Sequence, residues 1–273
     1  MHFDVGGREV YAYTGSRPFV PSQPTVLFVH GAANDHGVFA LQSRYFAWHG
    51  RNAVAVDLPG HGRSAGDALA SVEAIADWLR GVLDALHVER AHLVGHSMGS
   101  LAVLECAARQ PQRIARLALL GASAPMPVSD DLLAAARRND HVAYELINGW
   151  SFAPASQLAS NPWPGTWMLG NAMRLMERTR DGVLATDLEA CNRYANGVEA
   201  AAAVACPTLA VVGARDIMAP PRNAKALIDA LPDVRTTVLP DTGHSLMTER
   251  PGEVLDQLRK FLGIGPWPLN PAT

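Results

Sequence analysis

Residues 95–99 read Gly-His-Ser-Met-Gly, so Ser97 stands between two glycines in a G-x-S-x-G spacing. An apolar run precedes it and a helical pattern follows. This is the setting of a nucleophile elbow, a strand-to-helix turn so sharp that only small neighbours fit and the hydroxyl is pushed into the open. Such a hydroxyl can attack a carbonyl carbon if a base takes its proton and a third group holds that base in the right tautomer. The plainer alternative is a glycine-rich strand-end turn with an idle serine. Ten histidines are available as the base. His30, His61 and His96 each adjoin a glycine, but His96 is the neighbour of Ser97 and would point away from it. His244, in Leu-Pro-Asp-Thr-Gly-His-Ser, lies after the last apolar run and before the last helical one, and is the best-placed base. His2, His36, His49, His87, His92 and His141 read as surface or packing residues. For the orienting acid, Asp216 closes Leu-Ala-Val-Val-Gly-Ala-Arg-Asp. Asp241 is its chief rival, yet it is too near His244 in the chain for an easy approach to Nδ1, and Asp130 is a weaker one. The order Ser97, Asp216, His244 is the Ser…Asp…His order of one of the three known chain arrangements of this constellation.

Attack on a carbonyl puts negative charge on oxygen, and that charge needs N–H donors already aimed at it. His30-Gly31 closes an apolar run, and the loop after it can present the Ala32 N–H; the Met98 N–H, directly after the nucleophile, is the natural second donor. Further candidates for substrate contact are His30, Trp150, Trp163, Trp167, Met218 and Met247. The plainer reading of each tryptophan and methionine is ordinary packing. Arg137, Arg138, Arg174 and Arg178 are candidates for holding a substrate carboxylate, with solvated helix-face charge as the alternative.

The elements that must bring these groups together are short apolar runs. Phe3–Tyr13 alternates around Gly6-Gly7, a β-hairpin signal. Residues 25–31, 52–60, 91–97, 114–121, 207–216 and 234–240 then read as strands, most of them almost wholly apolar, as expected of strands covered by helices on both faces. Helical patterns lie between them, including 71–87 with Ile75, Leu79, Leu83 and Leu86 on one face, 98–109, and a last helix from about Arg250 to Leu262. Alternating strand and helix predicts an open, mostly parallel sheet, whose ligands gather at the carboxyl ends of the strands. From 123 to 205 no buried strand is visible. So long a connection needs structure of its own, and we read it as a mostly helical insertion. It carries Trp150, Trp163 and Trp167, three of the six tryptophans.

The chain has 273 residues, of which 48% are hydrophobic and 18% charged, enough apolar material for a large core. A formal net charge of −3 gives no reason to expect nucleic-acid binding. Lys225 and Lys260 are the only lysines, an Arg bias that points to a GC-rich bacterial genome. Three scattered cysteines, Cys106, Cys191 and Cys206, argue against a disulfide framework or a zinc site and for a reducing cytoplasm. The first ten residues are too polar for a signal peptide, and no run is long enough for a membrane span, so no membrane association is expected.

The motifs His30–Ala33, Asp57–Ser64 (DLPGHGRS), Gly95–Ser100, Gly213–Asp216 and Gly243–Ser245 together resemble the α/β-hydrolase superfamily, in its branch with a helical cap inserted after the sixth strand. The resemblance spans nearly the whole chain. It implies an eight-stranded sheet with the second strand antiparallel, a core formed by residues 1–122 and 206–273, a cap formed by 123–205, and a pocket between them. Ser100 departs from the second glycine common in relatives. A serine at position 97 sets the chain apart from dehalogenases and most epoxide hydrolases of the superfamily, which use a carboxylate there. The expected activity is that of a serine carboxylesterase acting on a small or medium ester, with no metal or organic cofactor. C–C bond hydrolases, lactonases and perhydrolases share the same triad and are the alternatives, separated by assays on diketones and lactones. A non-catalytic ligand receptor on this fold is a third reading, separated by whether Ser97 reacts with a fluorophosphonate. The oligomeric state is left open.

Overall fold

A computed structural model describes residues 1–158 and 165–263 of the chain. Eight strands, β1 (His2–Val5), β2 (Arg8–Tyr13), β3 (Thr25–Val29), β4 (Asn52–Val56), β5 (Ala91–His96), β6 (Ile114–Leu120), β7 (Thr208–Gly213) and β8 (Val234–Leu239), form one sheet in the order β1-β2-β4-β3-β5-β6-β7-β8. The β1–β2 hairpin turns through Gly6 and Gly7, both at positive φ, and β2 runs antiparallel to β4. Every other pairing is parallel.

The first three helices are α1 (Ala40–Trp48), α2 (Val72–Ala85) and α3 (Met98–Arg109). Between β6 and β7 come α4 (Asp130–Arg137), α5 (Val142–Ser151), α6 (Pro154–Leu158), α7 (Met168–Met176), α8 (Val183–Arg193) and α9 (Gly197–Ala203), with no strand among the described residues. The last helices among the described residues are α10 (Pro221–Ala230), α11 (Leu246–Glu249) and α12 (Pro251–Phe261).

The apolar strands are explained by two-sided burial. In β3, Leu27 and Val29 join a core with Ile75, Leu79 and Leu83 of α2, whereas Val26 and Phe28 face a second core with Phe39, Phe46 and Phe261. The α2 helix begins at the Ser71 cap, whose hydroxyl accepts the Ala74 N–H at 3.1 Å. It ends two residues before the pattern predicted. His87 takes a left-handed φ of 53°, and the Val88 and His87 N–H groups fold back on the Leu83 and Asp84 carbonyls at 2.9 and 3.0 Å. Leu86 is therefore only half-buried. A third apolar cluster unites Leu132, Leu133, Ile147, Leu184 and Leu188 of the β6–β7 helices and closes on Ala33. Within that segment α9 differs, since Ala200 and Ala201 pack into the same core as α2 and α3. No described helix is long and apolar enough to cross a membrane.

Parallel register decides where chemistry can occur. Val29 pairs with Gly95, His96 with Leu120, and Gly213 with Leu239, so β3, β5, β7 and β8 end along one edge. The loops carrying Ala32, Ser97, Asp216 and His244 all leave from that edge.

Candidate active site

Ser97 occupies the junction of β5 and α3 with φ 54° and ψ −122°, a conformation that a residue with a side chain rarely adopts. The glycines explain how it is tolerated. A Cβ on Gly95 would lie 2.3 Å from the Gly99 carbonyl oxygen, and one on Gly99 would lie 2.2 Å from that of Val29. Both neighbours are backbone and cannot swing away. Gly99→Ala is expected to destabilise the protein by on the order of 3 kcal/mol or more. Urea unfolding checks this, and an unchanged midpoint would contradict the crowding. Ser100 reinforces the turn. Its Oγ lies 2.7 Å from the Gly95 carbonyl oxygen and 3.0 Å from that of Leu120, and it accepts the Leu120 N–H at 3.1 Å.

His244 is buried, and its Nδ1 lies 2.8 Å from Asp216 Oδ2. The other carboxylate oxygen, Oδ1, accepts the Met218 and Ala219 N–H groups at 2.9 and 2.8 Å. Burial pushes the Asp216 carboxyl up, but the charge and hydrogen bond of His244 with the two main-chain donors hold it below its ordinary value. An ionised Asp216 accepts the Nδ1 hydrogen and leaves Nε2 as the basic nitrogen. Among the described residues Nε2 has no hydrogen-bond partner, so it is free to take a proton. Asp241 is exposed and faces Arg215 at 3.6 Å, and Asp130 is exposed at the start of α4.

Ser97 and His244 open onto one cavity of about 940 Å³, whose wall includes Ala32, Trp150, Met218 and Met247. Met98 is the first residue of α3, so its N–H is one of the helix-start donors left without an intrahelical acceptor. Ala32, Ser97 and His244 line that cavity, while the Met98 side chain is fully buried and lies outside its lining.

Residues 24–251 match the family model described as alpha/beta hydrolase fold. The chain belongs to the alpha/beta hydrolase family. It is 30% identical over 252 residues to the dihydrolipoyllysine-residue acetyltransferase component of the acetoin cleaving system of Pseudomonas putida, covering 88% of this chain but only 63% of that protein. Among solved structures, the enol-lactonase of Burkholderia xenovorans superposes with a TM-score of 0.85 at 22% identity, over 96% of this chain and 99% of that one. A thermophilic esterase from Thermogutta terrifontis superposes with a TM-score of 0.81 at 22% identity, over 96% and 97%. At such identity the two structures speak for the fold alone.

Two of the residues expected to touch substrate do not reach the cavity of this alpha/beta hydrolase. His30 is fully buried beneath it. Its Nε2 accepts the Leu58 N–H at 3.1 Å and its Nδ1 donates to the Gly31 carbonyl at 2.8 Å, a neutral tautomer consistent with burial lowering its pKa to about 4. Trp167 is 73% exposed, because its ring covers Gly170 on the outside of α7. Trp163 lies outside the described residues.

Other residues support His244. His96 does line the cavity, and its Nε2 donates to the His244 carbonyl at 2.9 Å with the two rings 4.9 Å apart. Burial lowers its pKa to about 3, so it stays neutral beside His244. Gly121, at φ 60°, leaves room for the imidazole: a Cβ there would lie 3.2 Å from His244 Nδ1. Glu249 accepts the Gly243 N–H at 2.8 Å and the Ala153 N–H at 3.0 Å, tying the histidine loop to the end of α5. Asp35, His36 and Asp57 are the one group among the described residues with metal-ligand atoms close together, within 4.8 Å. Their atoms are engaged by the Arg178 guanidinium and the His36 and Arg63 N–H groups, an arrangement that explains itself without an ion.

Proposed function

We propose that the protein is a serine hydrolase of uncharged carboxylic esters, with Ser97 as nucleophile, His244 as general base and Asp216 as its orienting acid. The observation supporting this reading is a strained serine and a histidine that line one cavity, the histidine with its Nδ1 held by a carboxylate and its Nε2 without a hydrogen-bond partner among the described residues, Ser97 included. His244 Nε2 takes the Ser97 proton as Oγ adds to the ester carbonyl. The Ala32 and Met98 N–H groups stabilise the resulting oxyanion. His244 then gives the proton to the departing alcohol oxygen as the C–O bond breaks, leaving an acyl-enzyme that water cleaves by the same steps. Residues 123–205 act as the cap over the cavity, with α9 serving the core beneath.

Charge narrows the substrate class. Among the described residues no Asp, Glu, Lys or Arg lines the cavity, and residues 159–164 and 264–273 contain no ionisable side chain. The four arginines considered for a substrate carboxylate are engaged elsewhere: Arg137 with Glu189 at 2.8 Å, Arg138 with Asp140 at 3.4 Å, Arg174 with Glu177 at 2.6 Å, and Arg178 with Asp35. A carboxylate entering this cavity would lose its water without gaining a counter-charge, at about 3–5 kcal/mol. This favours esters and lactones that carry no charged group.

The test compares p-nitrophenyl hexanoate with the p-nitrophenyl monoester of adipic acid, equal in length and differing by the terminal carboxylate. A kcat/KM ratio of roughly 10² or more in favour of hexanoate is expected. Equal rates would remove the charge argument, and no hydrolysis of either would remove the esterase reading.

A further inference from the structure

Two side chains of the β6–β7 helices and the turn between them close on one residue of the Ala32 loop. Asp187 on α8 is 1% exposed, and its Oδ2 accepts the Ala33 N–H at 2.9 Å. From the turn before α8, Thr179 Oγ1 donates to the Ala33 carbonyl at 3.1 Å. Ala33 is fully buried at φ 52°, a left-handed conformation that alanine keeps only where its surroundings fix it. Both polar groups of this strained residue are thus held by a segment more than 140 positions away in the chain.

A buried histidine completes the clamp. His61 Nε2 lies 2.8 Å from the same Asp187 oxygen, and His61 Nδ1 lies 3.0 Å from the Pro59 carbonyl oxygen. Both ring nitrogens face acceptors, so both carry hydrogen and the ring is an imidazolium paired with the Asp187 carboxylate. Burial opposes that charge, while the charge and hydrogen bond of Asp187 outweigh it and raise the His61 pKa. Other titratable groups around the pair are neutral His30, 4.9 Å from the His61 ring, the Asp57 carboxylate, and, on the Asp187 side, Tyr144 and Cys191.

The clamp sits one residue from the N–H assigned to the oxyanion. The Gly31–Ala32 peptide is pinned through its carbonyl, which accepts from His30 Nδ1 at 2.8 Å and the Asn34 N–H at 3.3 Å. The Ala32–Ala33 peptide is pinned at both ends: Asn34 Nδ2 donates to its carbonyl at 2.9 Å, and its N–H is the one Asp187 accepts. With the planes on either side fixed, the backbone dihedrals of Ala32 are determined and its N–H has one direction.

We propose that Asp187, backed by His61, is a positioning residue for the oxyanion hole, reaching from the helical segment to hold the Ala32 N–H on the developing negative charge. This rests on the reading of Ala32 as an oxyanion donor. The helical segment then does more than cover the substrate: it completes the catalytic geometry, and any movement that parts α8 from the Ala32 loop switches the reaction off. Substrate binding, which depends on the apolar walls, is left nearly intact.

The experiment compares Asp187→Ala, Asp187→Asn and Thr179→Val with the wild type. It measures kcat and KM on p-nitrophenyl hexanoate, inhibition by a trifluoromethyl ketone that Ser97 converts into a tetrahedral oxyanion, and fluorophosphonate labelling. Asp187→Ala is expected to lower kcat by about 10- to 100-fold with little change in KM, and to weaken ketone inhibition in parallel. Asp187→Asn, whose amide oxygen still accepts the Ala33 N–H, should recover most of that loss. Thr179→Val should show the same pattern to a smaller degree, and it decides alone if Asp187→Ala fails to fold. Wild-type kcat and ketone affinity in every folded variant, or a change in KM alone, would overturn the proposal. Failure of the wild type to be labelled at Ser97 would overturn the hydrolase reading beneath it, so the two failures are distinct.

Discussion

Ser97→Ala is expected to lower ester turnover by about 10³-fold or more while leaving the unfolding midpoint near that of the wild type. The effect is large because the reaction then loses its covalent route, and what remains is binding and the oxyanion donors acting on water. The fold should survive because the elbow is held by groups that the substitution leaves in place. The Ser97 N–H still reaches the Leu120 carbonyl at 3.0 Å, the Ser100 hydroxyl still bridges β5 and β6, and the glycines still allow the turn. Steady-state kinetics with circular dichroism and thermal melting checks both halves. A folded variant with near-normal rates would make Ser97 an idle turn residue.

Asp216→Asn is expected to lower kcat by roughly 10²- to 10⁴-fold with little effect on KM. Here the surrounding hydrogen bonds choose the damage. The Met218 and Ala219 N–H groups both point at Oδ1, at 2.9 and 2.8 Å, so an asparagine must place its oxygen there and turn its NH₂ toward His244. His244 Nδ1 then has to accept instead of donate, the ring proton moves to Nε2, and the nitrogen proposed to take the Ser97 proton is no longer a base. The change is nearly isosteric, so loss of activity without loss of fold would point to the tautomer. A pH–rate profile measured beside kcat completes the test. Retained activity would mean that another carboxylate, with Asp241 the sequence rival, orients the base.

The sheet was legible because burial on both faces forces strands such as β3 and β7 to be apolar from end to end, and no other element of that length looks the same. The positions of Ser97, Asp216 and His244 at strand ends were legible for a related reason: parallel pairing puts all those ends on one edge, whatever the details of packing. Trp167 was not. Aromatic content marks a residue able to bury area, but whether it faces cavity or solvent depends on the rotation of α7, which leaves Trp167 outside over Gly170. His30 also misled, because a histidine beside a strand-end glycine can serve the loop backbone as easily as a ligand. Asp187 and Glu249 carried no local signal at all. Each acts on main-chain N–H groups of a different loop, and only the folded chain brings a carboxylate on α8 against Ala33 or one on α11 against Gly243.

Mapping the site of covalent modification by a fluorophosphonate tests the central claim most directly. Intact mass and peptide mapping of the wild type should find a single adduct, on the peptide carrying Ser97, and none in Ser97→Ala. An adduct on another residue, or ester hydrolysis that persists once Ser97 is fully modified, would contradict the account.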